Sequence, residues 1–228
     1  MRVEVQGDIS QEVVAKFEVA VLHMDMVWTN LLKEHRGLYF YPPRVVLYLG
    51  GVNTKCGQGL IHHGPFYCSG DRSVYIDPRW FERLVDEYGA RAGEFSALFI
   101  LAHEIGHHIQ ELTGIFHRIL SAPGDQSMRV RGELEADFLA GIWTRHAADD
   151  PEFPWTIKEE DLDIALSVAR AVGDDTVQTR KSGTIDNSRW GHGSAEQRQL
   201  YFLHGYLSKD FMSCNIWTNP DINNLPSL

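Results

Sequence analysis

Apolar residues recur at helical spacing through Val13, Phe17, Ala20, Val21, Met24, Val27, Trp28 and Leu31. That spacing predicts an amphipathic helix over residues 9–36, with Ser10 placed to cap it and Gly37 to end it. The period then changes. "RVVLYLGG", residues 44–51, is β-branched and aromatic after Pro42-Pro43 and reads as a buried strand. "RSVYIDP", residues 72–78, reads as a second strand stopped by Pro78. The glycine-rich "NTKCGQGLIHHGPFYCSGD" between them predicts an irregular loop with room for a short strand. "RWFERLVDEYG" reads as a short helix, and residues 94–113 as a strongly apolar one that stops at Gly114. Further helices are expected over 130–148, in "IKEEDLDIALSVARAVG" and in "SAEQRQLYFLHGYLSKD". The polar, glycine-bearing segment 174–193 reads as a mobile loop. Together these predict one α+β domain over residues 1–228, mostly helical with a small sheet.

The apolar helix carries an anomaly. "LAHEIGHH" places His103, Glu104, His107 and His108 among Leu101, Ala102, Ile105 and Ile109. Titratable groups in an oily helix are costly unless something binds them. His103-Glu104-x-x-His107 is a HExxH pattern, whose two histidines lie one turn apart on one face. Imidazoles so placed can aim nitrogens at one ion, Zn²⁺ first among candidates, with Glu104 turned beside them as general base. A catalytic zinc takes three protein ligands and keeps a fourth position open. "GELEADFLAG" supplies the third candidate, Glu133, with Asp137 one turn on to accept the spare N–H of a ligand histidine such as His103. Glu135 is the rival, on the opposite side of its helix by the 3.6-residue period. His108 is expected beside the ligands or in packing. His62-His63 reads as a solvated loop pair.

"SVYID" reads as an edge strand on which a peptide could add by main-chain hydrogen bonds through Val74, Tyr75 and Ile76. Near the C-terminus, His192 stands between Gly191 and Gly193 and could donate to an oxyanion. The plainer reading of that stretch is a helix cap, Ser194 with Gln197 three residues on. Arg198 is expected to pair with an acidic group near the site.

These residues carry a family resemblance. In order, "CGQG", "GPFYCSGDRSVYIDPRWF", "LAHEIGHHIQ", "RGELEADFLAGIW" and "HGSAEQR" resemble the putative neutral zinc metallopeptidases, a bacterial group typified by a membrane-anchored protein of unproven substrate. The resemblance implies a zincin-like, gluzincin-type peptidase fold with His103, His107 and Glu133 as zinc ligands and Glu104 as catalytic base. It implies hydrolysis of a peptide or protein substrate by a metal-activated water. It also divides the chain into an N-terminal helix, 1–38, a family-matching core, 39–215, and a C-terminal tail, 216–228. Two departures stand out: no hydrophobic anchor precedes the core, and Phe138 follows Asp137 where many relatives have cysteine. The competing reading keeps the zinc without proteolysis, as a binding or regulatory module with segment 174–193 as an autoinhibitory flap.

Composition narrows the partners. Hydrophobic residues make up 43% and charged residues 23%, ordinary for a globular domain. A formal net charge of −10 excludes a general nucleic-acid or anionic-membrane binder, which needs a basic face. No run approaches the roughly 18 apolar residues of a membrane span. The start "MRVEVQGDIS" lacks the features of a signal peptide, which points to the cytoplasm, with an extracytoplasmic site as the alternative. Cys56, Cys68 and Cys214 are an odd set; Cys56 and Cys68 could bridge, or all three could be buried thiols.

Overall fold

The computed structural model describes residues 1–91 and 93–224. The chain opens with strand β1 (Arg2–Gln6) and helix α1 (Gln11–Arg36). Ser10 accepts from the Val13 N–H at one end of α1, and Gly37 turns left-handed at the other, as the sequence predicts. Strands β2 (Arg44–Tyr48), β3 (Gly51–Thr54), β4 (Gly57–Leu60), β5 (Phe66–Cys68) and β6 (Ser73–Ile76) follow. The helices are α2 (Trp80–Asp86), α3 (Phe95–Leu112), α4 (Met128–Asp149), α5 (Glu159–Ala171), α6 (Asp174–Ser182) and α7 (Ala195–Ser208). The architecture is mixed α+β, dominated by helix. No helix among the described residues is long and apolar enough to cross a membrane.

One sheet runs β1-β2-β6-β5, parallel from β1 to β6 and closed by antiparallel β5; β3 and β4 form a separate hairpin. This order corrects the expectation of an edge at residues 73–76. Val74 pairs with Val45 of β2 and with Tyr67 of β5, so the β6 backbone is engaged on both sides. Val74, Tyr75 and Ile76 are buried accordingly. The edge strands of this sheet are β1 and β5. A disulfide joins Cys56, in the β3–β4 turn, to Cys68 at the end of β5, and Cys214 is free.

The helical layer rests on close backbone approaches. A Cβ on Gly141 of α4 would lie 2.1 Å from the Phe202 carbonyl oxygen, and one on Gly205 of α7 would lie 2.0 Å from that of Phe138. Where α3 meets α4, a Cβ on Gly106 would stand 3.0 Å from the Ala136 Cα. Glycine at these crossings lets the helices touch, and Phe99, Phe138, Trp143 and Phe202 fill the space around them without exposure. Gly141→Ala is therefore expected to cost about 1–3 kcal/mol, because the obstacle is backbone rather than a movable side chain. Urea denaturation measures it, and an unchanged midpoint would show that α7 slides freely.

Three other expectations are corrected. Residues 2–6 form a strand before the N-terminal helix. Residues 174–182 form α6 rather than a loop, with Gly183 as its left-handed cap. The segment expected as a tail is packed: Ile216 and Ile222 are fully buried, and the Arg131 guanidinium donates to the carbonyls of Ile216 and Asn219.

Candidate metal centre

Helix α3 sets His103 and His107 one turn apart, with ring centroids 4.8 Å from each other. The α3–α4 contact at Gly106 then brings Glu133 across from them. His103 Nε2 lies 3.3 Å from Glu133 Oε2, and His107 Nε2 lies 3.6 Å from Oε1. All three donor atoms lie within 4.8 Å of one another. Two donors each ~2.0–2.1 Å from a tetrahedral ion stand roughly 3.4 Å apart, so these separations suit one ion of that size. The outer nitrogens are committed elsewhere, which turns both Nε2 atoms inward. His103 Nδ1 donates to Asp137 Oδ1 at 2.8 Å, and His107 Nδ1 lies 2.9 Å from Gln110 Oε1. Donor type, spacing and orientation thus fit zinc. Glu135 faces the other way, accepting from Gln110 and from the Trp217 indole.

The electrostatics agree. Burial disfavours charge on His103, yet the neighbouring Asp137 carboxylate outweighs burial and pushes its pKa up to about 10. His107 moves up too, because Glu133 overcomes the same penalty. Burial would raise Glu133, but the two imidazoles hold it well below the usual carboxylate range. A field that draws protons to these nitrogens is also the field a divalent cation would meet.

Asp137 is fully buried and clamped by Arg198, whose Nε and Nη2 donate to its two oxygens at 2.7 and 2.9 Å. Arg198 comes from α7, which the Ser194–Gln197 capping box starts: the Gln197 N–H donates to Ser194 Oγ, and the Ser194 N–H to Gln197 Oε1.

The cluster opens into a cavity of about 560 Å³ that Glu104 and His192 also line. Phe66 and Tyr67 of β5, with Pro65 just before them, line it; Trp80, Ile100 and Val177 contribute to the rest. His192 Nδ1 lies 3.3 Å from Asp174 Oδ1, at the cavity rim. The other Asp174 oxygen accepts from the N–H groups of Gly191, His192 and Gly193 at 2.7, 2.6 and 3.0 Å. Gly193 has φ +90°, which only glycine adopts readily, so the chain can wrap that oxygen.

His108 lies outside this arrangement. Its Nδ1 meets the Tyr67 hydroxyl at 2.9 Å and its Nε2 donates to the Tyr41 carbonyl at 2.6 Å, so it fastens α3 to β5 and to the segment before β2. It hydrogen-bonds to none of the three donors, so of the two expectations, a place beside the ligands or in packing, the structure gives the second. His62 and His63 are exposed at the cavity mouth, apart from the cluster.

The sequence model of the putative neutral zinc metallopeptidase family matches residues 3–217. The chain belongs to that family. It is 36% identical over 206 residues to the uncharacterized protein Rv2575 of Mycobacterium tuberculosis, covering 87% of this chain and 69% of that one. It is 34% identical over 212 residues to the uncharacterized protein YpfJ of Escherichia coli K12, covering 90% and 72%. No solved structure matches. Membership in a zinc metallopeptidase family accords with a cluster of zinc-ligand type.

Two residues at this centre escaped the sequence reading. Asp174 follows Gly173 in "VGDDTVQ", where a helix break and restart with acidic residues in the first turn is a usable signal. Gln110 stands three residues after His107, the spacing of facing side chains on a helix.

Proposed function

We propose that this chain is a zinc-dependent peptidase of zincin-like fold, with His103, His107 and Glu133 as metal ligands and Glu104 as general base. The observation that carries the reading is the convergence of those three donors in a cavity that Glu104 also lines. Zinc bound there supplies a Lewis acid that polarises a carbonyl and acidifies water. Glu104 takes the proton of the water that attacks the peptide carbonyl and returns it to the leaving amine. Asp137 keeps the Nδ1 proton on His103 so that Nε2 presents its lone pair. His192, oriented through Nδ1 by Asp174, donates to the carbonyl oxygen as charge builds there, worth about 3 kcal/mol.

The substrate adds as a strand along β5, the edge that borders the cavity. The Cys56–Cys68 disulfide ties that edge to the neighbouring hairpin. Because reducing compartments keep thiols free, the disulfide favours the extracytoplasmic alternative.

The test is metal content by elemental analysis together with cleavage of a peptide library. The expected result is about one zinc per chain, abolished by His103→Ala, and cleavage that a chelator stops and added zinc restores. Zinc without cleavage of any peptide would reject the peptidase and leave a metal-holding module. Asp174→Asn is expected to lower kcat up to about 10²-fold while zinc content stays at wild-type level, since it touches His192 and none of the ligands. An unchanged kcat would remove His192 from the mechanism.

A further inference from the structure

We infer that Gln110, itself held by Glu135 and Trp217, is a positioning residue that fixes the orientation and tautomer of His107 and so sets the metal affinity of the cluster. The inference rests on the metal-centre reading above.

Gln110 is 1% exposed, so both ends of its carboxamide must find partners inside the protein. Its Nε2 donates to the Gly132 carbonyl at 2.7 Å and to Glu135 Oε2 at 2.9 Å. Both amide hydrogens are then used, and Oε1 faces His107 Nδ1. The reverse orientation fails: it would set the amide oxygen against a carbonyl and a carboxylate, acceptors all three. With Oε1 at the ring, the proton sits on Nδ1. His107 Nε2 is left as the lone-pair nitrogen, on the side of Glu133.

Glu135 is steadied in turn. Its other oxygen accepts from Trp217 Nε1 at 2.7 Å, and Trp217 is carried by the segment that Arg131 grips through the Ile216 and Asn219 carbonyls. A chain of contacts thus runs Trp217–Glu135–Gln110–His107. The two ligand histidines are held differently: His103 by a carboxylate that Arg198 neutralises, His107 by a neutral amide. A carboxylate at position 110 would meet Glu135 directly, so the amide is the group that can satisfy both neighbours. This also gives Glu135 a part that its place in "GELEAD" does not announce.

The test uses the full-length chain and compares wild type with Gln110→Leu, Glu135→Gln and Trp217→Phe. Zinc affinity is measured by competition with a chromophoric chelator. The ring N–H proton of His107 is followed by NMR in the zinc-loaded protein, and circular dichroism monitors the fold. Gln110→Leu is expected to raise the zinc Kd about 10- to 100-fold and to shift or broaden the His107 Nδ1–H resonance. Glu135→Gln places a second donor among the donors and is expected to raise Kd about tenfold. Trp217→Phe should move both readouts the same way by less. Unchanged Kd and an unchanged His107 resonance in folded Gln110→Leu would overturn the inference. If that variant does not fold, the same two null results in Glu135→Gln and Trp217→Phe would overturn it. The two readings fail separately. A wild type that holds no zinc overturns the metal centre and this inference with it. A wild type that holds zinc, with variants that hold it equally well, overturns only the inference.

Discussion

Glu104→Gln is expected to keep the zinc content and fold of the wild type while losing peptide hydrolysis by about 10²–10⁴-fold, the usual worth of a positioned general base. The reasoning starts from the helix. Glu104 follows His103 by one residue, about 100° around α3, so it stands beside the face that carries the donors rather than on it. It is 7% exposed, and that exposure is to the cavity. Glu133 supplies the third donor, which leaves the Glu104 carboxylate free to exchange protons. Glutamine has the same shape and hydrogen-bonding reach but takes no proton at neutral pH. The variant should therefore separate holding the metal from doing the chemistry. Initial rates on a cleaved peptide, normalised to zinc content, measure it. Wild-type rates in the variant would sink the mechanism, and loss of zinc would make Glu104 a ligand.

Arg198→Met is expected to destabilise the fold by about 3–5 kcal/mol, the typical cost of leaving one partner of a buried ion pair behind. Asp137 has no exposed surface and Arg198 is 3% exposed, so water cannot replace the guanidinium. Both Asp137 oxygens accept from it. Burial by itself would raise the Asp137 pKa, but Arg198 and His103 hold it below the ordinary 3.8. A depressed carboxylate pKa contributes stability above the unfolded value and loses it as pH falls through the folded one. In the wild type that contribution should be complete at neutral pH and should fade below about pH 3.8. The variant should lack the part that Arg198 supplies and keep only that of His103. Urea denaturation of the zinc-free proteins at neutral and acid pH tests both statements. A loss under about 1 kcal/mol at neutral pH would mean that the pair is solvated and that Asp137 is held by other means.

The legible parts of this protein are those that short-range chemistry controls. A helix repeats every 3.6 residues whatever surrounds it, so the alignment of His103 with His107, and of Glu133 with Asp137, follows from spacing alone. Caps are equally local. Ser10 satisfies an amide three residues on, and Ser194 with Gln197 does the same at α7. The preference for Glu133 over Glu135 was open to reading because Asp137 shares a helix face with the first and not with the second.

What depends on distant partners was not open in this way. Whether "SVYID" is an edge or an interior strand turns on where residues 44–48 and 66–68 pair, and nothing within the five residues encodes that. His107 and His108 are adjacent in sequence and similar in chemistry. They part because one ring meets Glu133 and Gln110, while the other meets Tyr67 and Tyr41 across 41 and 67 residues of chain. Asp174 acquires its work only when helix α6 sets it against the 191–193 backbone. By itself, then, the sequence determined the local geometry of the donors, since helix period and capping act over four residues. Only the tertiary structure decided which side chains complete the centre and which strand edge borders it, because those contacts exist only once helices and strands far apart in the chain have packed together.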